Sequence, residues 1–170
     1  MHKIDLITLY DYNYWANARI LDAAAQVPHE QYCAPANLSH GSLRATLVHT
    51  FVAELVWRSR CQAGISLPAL PTPDEYPTLE ILRAHWLDEE GKMRLYLASL
   101  TDESIYTPVH YVTTSGVPYS NLLWNLLVHV VNHGTQSRAE AGLALASYGH
   151  SPGDLDMVLF FREREGQARF

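Results

Sequence analysis

Four long segments carry apolar residues at helical spacing, and this pattern limits the chain to a mainly helical fold. Ser42 and Thr78 are suitable N-caps for the second and third segments, and Gly64 suits the end of the second. The segments run from about Ile4 to Val27, Leu43 to Gly64, Leu79 to Leu100 and Ser120 to Tyr148. Because each long helix needs an apolar face covered by another, the sequence predicts an all-α protein built as a four-helix bundle.

The connections between these segments differ in kind. The segment GISLPALPTPDEYP, residues 64–77, has prolines at positions 68, 71, 73 and 77 and cannot be helical. Fully extended, it would reach about 46 Å, which predicts a long crossover between the second and third helices. The β-branched and aromatic residues around Ser115 and Gly116 predict a short β-hairpin between the third and fourth. The final segment, DLDMVLFFRERE, predicts a strand or a last turn packed on the body.

Composition excludes several classes of protein. The chain has 170 residues, which suits one domain over residues 1–170, and 48% of them are hydrophobic, which excludes a disordered chain. A net charge of −6 argues against a nucleic-acid partner. The N-terminus lacks the features of a signal peptide, and the most apolar segment, Leu122 to Val131, is too short to span a membrane. We therefore expect a cytoplasmic protein with no membrane partner.

Two histidines on the fourth helix indicate a site. His129 and His133 stand one turn apart on one face of that helix, although chance alone gives about 0.5 such pairs among 9 histidines in 170 residues. They belong to a polar stripe of Asn125, His129, Asn132, His133, Gln136, Ser137 and Glu140. Since the rest of this helix is largely apolar, and burying polar groups without partners is costly, the stripe favours a binding site.

His49 on the second helix is the third candidate ligand, with small and apolar side chains at neighbouring helical positions. The alternative is a core histidine hydrogen-bonded to a backbone carbonyl. Three neutral imidazoles would leave a fourth coordination position open, as in catalytic zinc sites. The motif HVVNH has Val130 where an HExxH protease has glutamate, which argues against that class.

Four segments together resemble the DinB/YfiT-like family of four-helix-bundle metalloproteins: YNYWANARIL, SLRATLVHTFVAELVW, HVVNHGTQSRAE and GHSPGDLDMVLFFRE. The resemblance covers nearly the whole chain. It implies that His49, His129 and His133 are the metal ligands. Many relatives have a further histidine where this chain has Ser137, so the surroundings of the site and the substrate need not be the same.

The resemblance implies a metal-dependent enzyme with a small-molecule substrate. Its chemistry would be thiol-dependent transfer or isomerisation, with a low-molecular-weight thiol as co-substrate, or hydrolysis. Zinc is the expected ion and nickel the next, and a homodimer is expected. Two alternatives stay open: a non-catalytic metal- or small-molecule-binding protein of the stress response, and a structural cluster in which the three histidines hydrogen-bond one another and water.

His40 could cap the second helix or touch the mouth of the site, and Glu54 is expected to be a buried structural carboxylate. The sequence identifies no catalytic residue.

Overall fold

The structure is a computed structural model that describes residues 1–67 and 69–167. Within these residues the chain is mostly helical, with six α-helices and one small antiparallel sheet. The elements are α1 (Lys3–Ala24), α2 (His29–Cys33), α3 (Leu43–Ala63), α4 (Leu79–Ser99), β1 (Pro108–Val112), β2 (Pro118–Leu122), α5 (Leu123–Ser147) and α6 (Met157–Arg164). The four long helices α1, α3, α4 and α5 correspond to the four predicted segments.

The predicted ends of α3 and α4 are confirmed. The Ser42 hydroxyl accepts a hydrogen bond from the backbone N–H of Ala45 at 3.0 Å, and the Thr78 hydroxyl accepts one from Ile81 at 3.4 Å. Gly64 closes α3 in the left-handed conformation, at a φ of 66°. Local sequence therefore determines where both helices begin and where α3 ends.

Two boundaries differ from the prediction. Helix α5 begins at Leu123, not Ser120, because residues 118–122 pair with β1 as strand β2. The final segment is neither a strand nor a single turn but the helix α6. Its Phe160 ring contacts Tyr12 and Trp15 of α1, with centroid distances of 6.0 and 5.8 Å. These ring contacts pack α6 against α1.

The core lies between the long helices. Helices α4 and α5 each pack against both α1 and α3, and α6 contacts α1. Tyr10, Tyr12 and Tyr14 of α1 are buried in this core. Their rings fill the core while two hydroxyls find acceptors: Tyr10 donates to the Leu127 carbonyl and Tyr12 to that of Leu155.

The two predicted connections occupy their expected places. Strands β1 and β2 form the hairpin, with Gly116 in its loop at a φ of 81°. Between α3 and α4, the described residues contain only a short 3₁₀ turn, Pro73–Glu75, and Pro68 lies outside the described residues. Residues 168–170 of the predicted domain also lie outside them. None of the described helices is both long enough and apolar enough to cross a membrane.

Candidate functional site

His49 of α3 and His133 of α5 face each other. Their Nε2 atoms are 3.0 Å apart, and both residues are half-buried. In this arrangement one Nε2 donates a hydrogen bond to the other when no cation is present, and both lone pairs can reach a shared cation when one is bound. The structure thus brings together two of the three predicted ligands.

His40 completes this cluster from the loop before α3. Its ring stacks on that of His49, with a centroid distance of 3.8 Å and an angle of 21° between the planes. The Glu140 carboxylate of α5 accepts a hydrogen bond from the backbone N–H of Ser39 and thereby holds the loop against α5. The sequence left two roles open for His40, capping the second helix or touching the mouth of the site. Its stacking on His49 agrees with the second role.

His129 lies apart from the other two predicted ligands. It is exposed, and its ring meets Trp57 edge to face at a centroid distance of 5.1 Å. The centroids of His129 and His133 are 6.1 Å apart. The structure therefore places His129 beside the pair, one helical turn away, rather than in contact with it.

These distances can be compared with the requirements of a tetrahedral ion. With metal–nitrogen bonds of about 2.0–2.1 Å, two ligand nitrogens would be about 3.3 Å apart and two ring centroids about 5 Å apart. The centroids of His49 and His133, 5.0 Å apart, meet the second requirement, whereas their Nε2 atoms, 3.0 Å apart, lie about 0.3 Å closer than the first requires. His129 is roughly 1 Å too far from His133, a displacement that rotation of an exposed side chain could remove. As they stand, no three His, Cys, Asp or Glu side chains in the described parts of the chain form a metal-binding group.

Electrostatics keep the facing imidazoles neutral at pH 7. Burial lowers the pKa of His49 to about 4, and neighbouring His40 and His133 contribute to this shift. Burial likewise lowers the pKa of His133. Because only the neutral imidazole has a free lone pair, both side chains are in the protonation state that binds metal.

The polar stripe on α5 has a mixed explanation. Asn125, Asn132 and Gln136 are exposed, so solvent accounts for them and they give no support to a site. Ser137 is buried. Less of this face is enclosed than the stripe predicts, because an exposed rim and a buried face share the same helical spacing.

A buried polar network lies in the core between α1, α3, α4 and α5. The Glu54 carboxylate of α3 accepts hydrogen bonds from the side-chain amides of Asn13 and Asn17, at 2.8 and 2.9 Å, and from the Trp86 indole at 2.9 Å. Arg138 of α5 donates to the carbonyl oxygens of the same two amides, at 2.5 and 2.8 Å. The network fixes α3 relative to α5, and these two helices supply His49, His129 and His133.

The expectation of a structural role for Glu54 fits this burial and bonding, whereas two members of the network were missed. Asn13 and Asn17 stand one turn apart on α1 in the segment YNYWAN, among aromatic residues that obscure this spacing. Two amides on an otherwise apolar face signal a buried hydrogen-bond partner.

Comparisons with known proteins agree on one family. A model described as DinB family matches residues 1–167. "Protein DinB" of Bacillus subtilis (strain 168) is 27% identical over 165 residues, which cover 92% of this chain and 95% of that protein.

Proposed function

The chain belongs to the DinB family, and from that premise we propose that it is a metal-dependent enzyme whose ion is held by His49, His129 and His133. The observation that carries the proposal is the 3.0 Å separation of two half-buried Nε2 atoms, one from α3 and one from α5. Zinc is the proposed ion, with nickel second, since imidazole suits both. His129 completes the ligand set by turning from Trp57 toward the pair.

The proposed reaction is either thiol-dependent transfer or isomerisation, or hydrolysis. A divalent ion in this position would favour the deprotonated form of a coordinated thiol or water. The proposed site is open to solvent on the side of His129, which is exposed. The chain itself contributes three neutral imidazoles and an aromatic wall. That wall consists of Trp57 and Tyr111, whose ring centroids are 5.2 Å apart.

We also propose that α1, α3, α4 and α5 form a four-helix bundle, with residues 64–77 as its crossover. The pairing of α4 and α5 with both α1 and α3 supports this architecture. The homodimer and the cytoplasmic location stay predictions.

The reaction is tested with protein purified without an affinity tag and loaded with zinc or nickel. Cysteine, coenzyme A and glutathione are each offered with chlorodinitrobenzene, and ester hydrolysis is followed separately. We expect turnover that requires the metal and is lost in His133→Ala but kept in His150→Ala, which changes a histidine in the loop after α5. Metal binding without turnover in any assay would instead support a non-catalytic binding protein.

A further inference from the structure

Arg60, in the last turn of α3, is a largely buried cation whose Nε has no hydrogen-bond partner in the described part of the chain. Only 7% of the residue is exposed. Within residues 1–67 and 69–167, no oxygen accepts a hydrogen bond from its guanidinium and no carboxylate forms an ion pair with it, and its Nε is fully buried. A buried donor without a partner is costly, and the two Nη groups, which are not fully buried, are the donors that a ligand can reach.

Two other arginines of the interior have acceptors for their guanidinium groups, and Arg44, whose Nε also lacks a partner, pairs with the Asp74 carboxylate. Arg58, two residues earlier, forms a two-pronged ion pair with the Glu89 carboxylate, and Arg138 donates to two amide oxygens. The negative end of the α3 dipole favours a cation at the position of Arg60, but it supplies no acceptor for the guanidinium N–H groups. Arg60 therefore differs from Arg44, Arg58 and Arg138 in having no side-chain acceptor among the described residues.

Two aromatic rings hold the Arg60 side chain in place. Its Cζ lies 4.9 Å from the centroid of the Trp57 ring and 5.4 Å from that of Tyr111. Stacking on ring faces leaves the edge of the guanidinium, with its paired N–H donors, available for a planar two-oxygen group. The Trp57 ring under Arg60 also contacts His129, so one aromatic side chain separates the guanidinium from His129.

Arg60 lines a cavity of about 430 Å³ between the C-terminal ends of α3 and α4 and strand β1. Leu100, Pro108, Val109 and Leu123 give this cavity an apolar wall. Cys61 also lines it, but burial raises the pKa of its thiol to about 12, so it is neutral and no nucleophile at pH 7. The cavity thus offers one positive charge and an apolar wall, with polar residues on the rest of its lining: Tyr96, Ser104, Thr107 and His110.

We propose that this cavity binds a small organic carboxylate, with Arg60 pairing its two oxygens and the apolar wall covering its hydrocarbon part. A single guanidinium balances a single negative charge and its fork pairs two oxygens, while the apolar wall favours a carboxylate with a hydrocarbon part over inorganic phosphate. The site goes beyond the proposed metal chemistry and needs no metal. Trp57 contacts both Arg60 and His129, so a substrate whose carboxylate binds Arg60 would extend toward the proposed metal site.

The test uses butanoate and its neutral isostere butanamide with the full-length, metal-free protein. Binding is followed by calorimetry and by the Arg60 Nε–H resonance in NMR spectra. We expect saturable binding of butanoate, at least about tenfold weaker binding of butanamide and a shift of the Arg60 resonance with butanoate only. Equal binding of the two probes, or no saturable butanoate binding, would overturn the proposal, and this comparison needs no variant.

Variants give a second, independent arm. Arg60→Met should weaken butanoate binding at least about tenfold, whereas Arg162→Met, which removes an exposed charge on α6, should leave it unchanged. Circular dichroism checks that both variants are folded. Wild-type affinity in a folded Arg60→Met variant would contradict the assignment, as would tighter binding of inorganic phosphate than of butanoate to the wild-type protein. These tests do not depend on the proposed metal site. A folded His133→Ala variant that no longer binds metal should still bind butanoate as the wild type does.

Discussion

Glu54 of α3 and Arg138 of α5 are bridged by the same two side chains, the amides of Asn13 and Asn17. Each amide donates to the carboxylate through its nitrogen and accepts from the guanidinium through its oxygen. The bridge lets two opposite charges sit in the core with their hydrogen bonds satisfied, and it joins α1, α3 and α5 in one arrangement.

Removing the cation of this network should destabilise the protein strongly. Arg138→Met leaves a buried carboxylate without its counter-charge and two amide oxygens without donors, so we expect the free energy of unfolding to fall by about 3–5 kcal/mol. The measurement is urea unfolding followed by circular dichroism. Arg83→Met is the control, since it breaks an exposed pair with Asp22 that is worth at most about 1 kcal/mol. Equal losses in the two variants would show that the network contributes no more than a surface pair.

Gly134 should not tolerate a methyl group. A Cβ added there would lie 2.7 Å from Nη1 of Arg138 and 2.8 Å from Oδ1 of Asn13, two atoms held by the network. We expect Gly134→Ala to reduce the unfolding free energy by about 1–3 kcal/mol, despite the better helix propensity of alanine.

Gly91 of α4 provides the matched control for that substitution. A Cβ at Gly91 would meet nothing within 4 Å, so Gly91→Ala should stabilise the protein by about 0.5–1 kcal/mol. Thermal unfolding of the two variants should therefore move the midpoint in opposite directions. A shift of the same sign in both would refute the close packing around Gly134.

His49 should make the metal-free protein less stable in acid. Its pKa is about 4 in the folded state, below the ordinary value of 6.5, so the unfolded chain binds the proton more readily. The contribution of His49 to stability is fully present above pH 6.5 and is lost as the pH falls toward 4. We expect His49→Gln to flatten the dependence of the unfolding free energy on pH in this window, measured in the presence of a chelator. His150→Gln should keep the wild-type slope, and an unchanged slope in His49→Gln would contradict the assignment.

The sequence predicted the fold better than the site because the two depend on different information. Caps at Ser42 and Thr78, the glycine after α3 and the apolar spacing are local signals, and they located the long helices. The start of α5 was missed because residues 118–122 pair across the hairpin, a contact that helical spacing does not reveal. The sequence likewise does not reveal the unpartnered Nε of Arg60, since hydrogen-bond partners are known only once the chain is folded.

The candidate ligands show the same division. Helical spacing correctly placed His129 and His133 one turn apart, and the resemblance linked them with His49. The 3.0 Å contact of His49 with His133, the stacking of His40 and the separation of His129 come from the relative positions of α3, α5 and the loop before α3. Side-chain rotation and interhelix distance determine these contacts, and neither is encoded in residue spacing alone.

The most direct test is a zinc titration by calorimetry, with metal content measured by plasma mass spectrometry, on untagged protein. We expect one zinc per chain in the wild type. The affinity should be at least about 100-fold lower in each of His49→Ala, His129→Ala and His133→Ala. Substitution of residues that only support metal ligands usually costs less than this. His40→Ala, which removes a stacked neighbour and no proposed ligand, should stay within about tenfold of the wild type. Absence of zinc and nickel binding by the wild type, or wild-type affinity in His133→Ala, would contradict the three-histidine site.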